Sequence, residues 1–246
     1  MNTTTIRIED ILFTIKETIN QKGSISREVV IKKSNINDPK QSDTNNYIFS
    51  FPELLKKYKN IIKITLLDDI FKLNKGCFEN VISLNEIILP QSLKYIEEHS
   101  FRNCKNLSLI KLPTNIIKLG EGTFLSCSNL QSIQLSKNIS EIPKNCFYDC
   151  SKLSKIYIDN AIPYEGDIQF LDNITTLDDY CFERCNSIKN VYIPNTVNNI
   201  GTNVFANCEN LLTAKIEANI TELPKKMFNN CERLKHVILS NALLKI

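Results

Sequence analysis

Apolar residues recur along most of the chain in a short block with the pattern Leu-x-x-Ile-x-Leu or a close variant of it. The block starts at residues 61, 84, 107, 130, 153, 188, 211 and 234. Its fourth and sixth residues are apolar and alternate with variable residues, which is the period of a strand that buries one face. The pattern therefore predicts eight short strands over residues 61–246.

A second signal, Phe-x-x-Cys, follows the strand block in most repeats. The pairs are Phe101/Cys104, Phe124/Cys127, Phe147/Cys150, Phe182/Cys185, Phe205/Cys208 and Phe228/Cys231. Successive Phe residues are 23 residues apart, except for one interval of 35, which is one repeat plus 12 residues. One such unit cannot bury its own apolar residues, but stacked units turn them into columns of a continuous core. The sequence predicts a solenoid.

The strand block, the spacing and the Phe-x-x-Cys pair together resemble the BspA-like class of leucine-rich repeats. Residues 107–127 show the whole consensus, and the resemblance covers residues 61–246. It implies a horseshoe with a parallel sheet on the concave side, a binding role rather than an enzymatic one, and relatives in anaerobic bacteria and parasitic protists, some of them cell-surface adhesins. We therefore expect an α/β solenoid of about eight 23-residue repeats with an N-terminal α/β cap.

Residues 1–60 lack the repeat and are expected to form that cap over the first strand of the array, residues 61–246. Helical spacing is found at Ile8, Ile11, Leu12, Ile15 and Ile19. We expect a strand at Arg27–Lys32, a polar loop at Ser34–Asn46 and a helix at Pro52–Tyr58, with proline in its first turn. Since exposed end repeats need sealing, a cap is favoured over a targeting segment or a separate binding module.

Charge and hydropathy narrow the class of partner. The chain has 30 Lys and Arg against 27 Asp and Glu, and a net charge of +3 is too small to indicate a nucleic-acid-binding field. No apolar run approaches the length of a transmembrane helix, and the N-terminal residues do not match an export signal. We expect no nucleic acid, no membrane insertion and a cytoplasmic location, with the cell surface as the alternative.

The nine cysteines are the first candidates for chemistry. Six share one repeat position, so we expect them to be buried, reduced and apolar in character, while Cys77, Cys146 and Cys181 precede a Phe. A four-thiolate zinc site is disfavoured because Cys150 and Cys185 belong to the core column. The two histidines, His99 and His236, lie six units apart, about 29 Å at the strand spacing. We expect no enzyme, no metal and no cofactor.

The variable strand residues point instead to a protein-binding surface. At the third and fifth block positions in the middle of the array, two tyrosines are surrounded by amides and ammonium groups with no carboxylate. This is the composition of a protein interface, although variable positions can also be merely solvated. The candidate contacts are Lys111, Gln134, Lys155, Tyr157, Asn190, Tyr192 and Lys215.

The 12-residue insertion, within about 159–173, leaves the array directly after the Tyr157 strand. Insertions in repeat arrays commonly lie on a binding face, so we expect it beside the concave rim. Tyr164 is its preferred contact residue and Phe170 a further one. The alternative is that Ile162 and Ile168 pack the insertion onto the array.

The eighth unit reaches Ile246 before a Phe and a Cys occur. An uncovered final strand would expose a strand edge and apolar column ends, so we expect a homodimer through this end. The main functional hypothesis is a non-catalytic protein-interaction module. Its rivals are a cell-surface adhesin exported without a recognisable signal and a self-assembling structural protein.

Overall fold

The structure is a computed structural model that describes residues 2–8, 11–33, 47–49, 58–67, 70–158, 167–170 and 172–239. These residues form a β-solenoid of about seven turns, with no helix in the ranges just given. The strands are β1 (Asn2–Ile8), β2 (Ile11–Ile19), β3 (Ile25–Lys33), β4 (Tyr47–Phe49), β5 (Ile61–Leu66), β6 (Ile70–Leu73), β7 (Glu86–Ile88), β8 (Tyr95–Ile96), β9 (Leu109–Lys111), β10 (Lys118–Leu119), β11 (Ser132–Leu135), β12 (Glu141–Ile142), β13 (Lys155–Ile158), β14 (Asp167–Gln169), β15 (Thr176–Leu177), β16 (Asn190–Ile193), β17 (Asn199–Ile200), β18 (Thr213–Ile216) and β19 (His236–Leu239).

Twelve strands form one long sheet in the order β1-β2-β3-β5-β7-β9-β11-β13-β14-β16-β18-β19. From β3 to β19 every neighbouring pair is parallel. Each predicted strand block contributes one strand, so the predicted parallel sheet is confirmed. Two shorter sheets, β10-β8-β6-β4 and β12-β15-β17, form a second side of the solenoid.

The outer wall of each turn is held by a ladder of stacked phenylalanine rings. Phe101, Phe124 and Phe147 lie 5.4 and 5.5 Å apart between ring centroids, with nearly parallel planes. These spacings exceed the strand spacing of about 4.8 Å, which is consistent with a curve that has the long sheet on its concave side. Because each inner ring is fully buried between two identical neighbours, the ladder forms one continuous core with the strand residues.

Two positions in each turn adopt a left-handed backbone conformation, two residues before and two residues after the Phe. The residues are Gly76, Asn80, His99, Asn103, Gly122, Ser126, Asn145, Asp149, Tyr180, Arg184, Asn203, Asn207, Lys226 and Asn230. Glycine and asparagine tolerate this conformation better than other residues. Asn80, Asn103, Asn145, Asn203, Asn207 and Asn230 therefore serve the tight turns around the Phe ladder.

The cysteine ladder lies beside the phenylalanines and is confirmed as free and buried, apart from the half-buried Cys231. Each ladder thiol donates a hydrogen bond to the carbonyl oxygen of the Phe in the preceding turn. For Cys127 and Phe101 the distance from sulfur to oxygen is 3.1 Å, and the other five distances are similar. The thiol therefore satisfies a carbonyl in the wall while it fills the column.

The described part of the N-terminal segment is all β, so the predicted helix over Ile8–Ile19 is wrong and the described residues do not form an α/β cap. Strands β1, β2 and β3 are antiparallel neighbours, and β3 adds in parallel to β5. Phe13 and Ile15 alternate with polar residues and enter the core together with residues of β3. The expected strand at Arg27–Lys32 lies within β3. The expected loop at Ser34–Asn46 and residues 52–57 of the expected helix lie outside the described residues.

Candidate protein-binding site

The long sheet has one side on the core and one side open to solvent, which we call the sheet face. Strands β7 and β9 each bury their middle residue and expose the two that flank it, as strand alternation requires. From β5 to β19, leaving out β14, the sheet face carries the third and fifth residues of each block. They are Lys63, Thr65, Glu86, Ile88, Leu109, Lys111, Ser132, Gln134, Lys155, Tyr157, Asn190, Tyr192, Thr213, Lys215, His236 and Ile238.

Three of the expected contact residues are direct neighbours across strands. Gln134 is in register with Lys111 on one side and with Tyr157 on the other. Lys111 is exposed and Tyr157 half-buried, but only 8% of Gln134 is exposed. Gln134 therefore offers little surface to a partner and lies between the two longer side chains that flank it.

The insertion corrects the expected layout of the site. Its described part forms β14, which enters the long sheet between β13 and β16 instead of lying beside the rim. Asp167 is in register with Asn190, and Ile168 with Ile156. Tyr157 and Tyr192 are consequently two strand spacings apart, about 10 Å, and not adjacent as the repeat count alone suggests.

Phe170, an expected contact residue of the insertion, belongs to the core. Phe170 is buried, and its ring lies 5.6 Å from that of Phe182, so the expectation that Phe170 contacts a partner is wrong. Ile168 is buried as well, which fits the alternative that the insertion packs onto the array. Tyr164 lies outside the described residues.

A second cluster surrounds Tyr192. Its hydroxyl donates a hydrogen bond of 2.7 Å to Glu217, and Lys215 makes an ion pair of 2.7 Å with the same carboxylate. The Lys215 ammonium also lies 5.2 Å from the centre of the Tyr192 ring. Hydrogen bonds from Lys215 and Tyr192 lower the pKa of Glu217, and the bond to Glu217 raises the pKa of Tyr192. The expected absence of carboxylates from this surface is therefore wrong.

Sequence reasoning missed Glu217 because it directly follows β18 and stands outside the strand block. It occupies the repeat position that holds Pro90, Pro113 and Pro194 in other units, so the sequence marks an unusual turn there but does not give the contact with Tyr192. A charged residue in place of that proline marks a turn whose side chain can reach back to the sheet face.

The buried thiols are poor candidates for chemistry. Burial raises the pKa of Cys104 to about 12 and that of Cys231 to about 11, and it raises those of Cys127, Cys146, Cys150, Cys181, Cys185 and Cys208 as well. A protonated thiol is a weak nucleophile and a weak metal ligand. Within the described ranges, no group of three or more His, Cys, Asp or Glu residues is placed to hold a metal ion.

Among the residues whose structure is described, none belongs to a helix long and apolar enough to cross a bilayer.

The parallel sheet, the Phe ladder and the 23-residue turn define a leucine-rich-repeat solenoid. The sequence profile of the BspA type leucine rich repeat region matches residues 52–167 and 165–246, in six copies. The chain therefore belongs to the BspA-type leucine-rich-repeat family. Proteins built from such repeats generally serve as binding scaffolds and not as enzymes.

Solved structures with the same repeat are distant in sequence. The T. pallidum leucine-rich repeat protein TpLRR is 18% identical with a TM-score of 0.52, and the match covers 80% of this chain and 87% of that one. A leucine-rich repeat protein from Eubacterium ventriosum is 14% identical with a TM-score of 0.47, covering 98% and 79%. A leucine rich cell surface protein from Faecalibacterium prausnitzii is 15% identical with a TM-score of 0.30, covering 98% and 96%. No curated protein matches the chain.

Proposed function

We propose that the chain is a non-catalytic protein-interaction module that holds a protein partner on its sheet face. The observation that carries this proposal is the contrast within each repeat. The residues that enter the core are nearly the same in every turn, whereas the residues of the sheet face differ from strand to strand. Chemically varied side chains on a rigid scaffold are the arrangement that specific recognition requires.

The expected contacts form two anchors on this face. The first contains Lys111, Lys155 and Tyr157, and the second contains Tyr192 and Lys215, held by Glu217. Tyrosine with polar neighbours is enriched at interface hot spots, and a side chain already fixed by a hydrogen bond loses little entropy on binding. Asn190 lies on the same strand as Tyr192, and the proposal keeps Tyr164 as a contact from the insertion.

Affinity capture from a lysate of the source cells tests the proposal. Bait proteins are the wild type, a face variant with Tyr157→Ser, Tyr192→Ser and Lys155→Glu, and a control with Tyr95→Ser and Lys118→Glu on the second side of the solenoid. We expect at least one protein to be retained by the wild type and the control but lost from the face variant. Identical retention by all three baits would contradict the proposal.

The location of the module is part of the proposal. Nine free cysteines, eight of them buried, suit a reducing compartment such as the cytoplasm. The alternative is a cell-surface adhesin, which the family membership favours. Intact-mass analysis of the natural protein separates the two, because an exported chain would carry glycans at its Asn-x-Ser/Thr sites or oxidised cysteines.

A second candidate function is self-assembly through β19. Among the described residues, β19 pairs only with β18, and Val237 is 39% exposed although its neighbour in register, Ala214, is buried. Ile238 is 51% exposed on the same strand. Two copies could pair these edges around a two-fold axis and cover both column ends. Light scattering over a range of concentrations should show a dimer that Val237→Lys abolishes, and a monomer at micromolar concentration would contradict this candidate.

A further inference from the structure

The lysines of the sheet face fall into two groups according to their partners. Lys63 forms an ion pair of 3.0 Å with Glu86, and Lys215 forms one with Glu217. Lys111 and Lys155 have no ion pair with any residue whose side chain the structure describes. On the part of the sheet face that β5 to β19 form, the lysines without an ion pair are therefore at two positions.

These two lysines lie at a fixed distance from each other. Lys111 is the fifth block residue of β9 and Lys155 the third block residue of β13, with β11 between them. Two strand spacings across the sheet and two residues along a strand place their Cα atoms about 12 Å apart. Two carboxylates four residues apart in an extended peptide span nearly the same distance, about 13 Å.

Exposed aliphatic side chains lie directly beside Lys111. Leu109 is two residues before it on β9 and is 53% exposed, and Ile88 on the neighbouring strand β7 is 45% exposed. The pairing of Glu86 with Leu109 places Ile88 opposite Lys111. Solvent-facing strand positions are usually polar, so two large aliphatic residues around one unpaired ammonium indicate a surface that a partner covers.

We propose that Ile88, Leu109, Lys111, Lys155 and Tyr157, the lysine–leucine patch, bind an extended acidic segment of a protein partner that also carries an aliphatic side chain. This proposal rests on the proposed function and names the chemistry of its partner. Carboxylates of the segment pair with Lys111 and Lys155, and the aliphatic side chain packs on Leu109 and Ile88. Tyr157 closes the patch on the side of β13.

An acidic peptide fits this patch better than a nucleic acid does. A nucleic acid gains affinity from many phosphate contacts, whereas the patch supplies two unpaired ammonium groups. The aliphatic surface beside Lys111 also offers nothing to a phosphate. A short peptide with mixed acidic and apolar residues uses both parts of the patch.

Fluorescence anisotropy of the full chain with labelled probes tests the proposal. The first probe is a mixture of short peptides with random sequences of Asp, Glu, Leu and Ser. The second mixture lacks Leu, and the third has Lys and Arg in place of Asp and Glu. The fourth probe is a single-stranded oligonucleotide. The proteins are the wild type, Lys111→Ser/Lys155→Ser, Leu109→Ser, and the control Lys118→Ser/Lys137→Ser, which removes two exposed lysines outside the sheet face.

The wild type should bind the acidic mixture with Leu more tightly than the other probes, and added salt should weaken this binding. The Lys111→Ser/Lys155→Ser variant should lose about tenfold in affinity, since it removes both ammonium groups that pair with the acidic segment. Leu109→Ser should remove the preference for Leu, and the control should behave as the wild type.

Three results would overturn the proposal: equal binding of the acidic and basic mixtures, wild-type affinity in the double variant, or oligonucleotide binding with the same dependence on both lysines. Failure of the proposed function looks different. If Leu109→Ser weakens binding of the basic mixture, the sheet face still binds peptides and only the acidic partner is wrong. If no sheet-face substitution changes the proteins captured from the lysate, the function itself is wrong.

Discussion

The outer wall and the sheet face are parts of the same 23-residue unit, yet they obey different constraints. A wall residue such as Phe124 lies between the same residue of the turn before and of the turn after, so a change in shape disturbs two neighbours at once. A sheet-face residue such as Lys111 has solvent above it and can differ from its neighbours at little cost in packing. Stability therefore depends on the wall, and the recognition that we propose depends on the sheet face.

The ladder thiols should give the largest contrast between the two regions, in the pH dependence of unfolding. Their folded-state pKa values are raised above the ordinary value of about 9, so the stabilisation from the protonated thiols is complete below that pH and is lost as pH rises above it. Each buried thiol should lower the free energy of unfolding by roughly 1 kcal/mol per pH unit above pH 9.

Urea unfolding at a series of alkaline pH values, with a reductant present, measures this slope. Lysines and tyrosines also titrate there, so the informative quantity is the difference between the wild type and Cys127→Ser. The variant keeps a hydrogen-bond donor for the Phe101 carbonyl but lacks one thiol. Its free energy of unfolding should therefore fall less steeply with pH, by the contribution of that one thiol. Equal slopes would show that the thiols are ionised in the folded protein.

Within the wall, Phe124→Ala should lower the free energy of unfolding by about 3–5 kcal/mol, because the ring leaves a cavity between two stacked neighbours. The matched control is Phe228→Ala, whose ring is only half-buried and has a described stacking partner on one side, at 6.1 Å. Chemical denaturation should show a clearly smaller loss for the control. Equal losses would mean that the ladder is not a continuous core.

At the left-handed turn positions, the effect of a substitution on the free energy of unfolding should depend on the backbone preference of the new residue and not on its size. Asn103 has a φ of 58° and donates a hydrogen bond of 2.8 Å to Asn80. Asn103→Val should cost about 1–2 kcal/mol, since a β-branched residue is disfavoured in this region. Asn103→Gly keeps the conformation and should cost less in the same denaturation experiment. If glycine is the more destabilising of the two, the side-chain hydrogen bond, and not the backbone conformation, dominates.

On the sheet face, Tyr157→Ser with Tyr192→Ser should change the free energy of unfolding by only about half a kcal/mol per site. The Tyr192 change also releases Glu217 and Lys215 from their shared cluster. A circular-dichroism melt should remain cooperative, with a midpoint close to that of the wild type. A broad or strongly shifted melt would place these tyrosines in the core.

Sequence reasoning reached the repeat because a 23-residue period imposes the same pattern many times over. It failed at the N-terminus, where Ile8, Ile11, Ile15 and Ile19 fit a helical period but Phe13 and Ile15 follow the alternation of a strand. The strand is favoured over the helix because β1, β2 and β3 pair antiparallel and β3 adds to β5. Such long-range contacts cannot be predicted from a short stretch of sequence.

The sequence predicts which side of the sheet carries the candidate site, but not the order of the strands or the contacts within the site. Strand alternation correctly separates buried residues such as Ile133 from solvent-facing ones such as Lys111. It does not predict β14, because Asp167–Gln169 lacks the repeat block. This segment becomes a strand by pairing with β13 and β16. The Glu217 contact depends on how the turn after β18 folds back, which the repeat pattern does not specify.

The most direct test of the division between wall and sheet face uses two matched lysines. A photo-crosslinking amino acid is placed at position 111 on the sheet face in one protein and at position 118, an exposed residue of β10 on the second side, in another. After irradiation in source-cell lysate, we predict a specific crosslinked partner from position 111 and none from position 118. A partner crosslinked from position 118 alone would contradict the assignment of recognition to the sheet face.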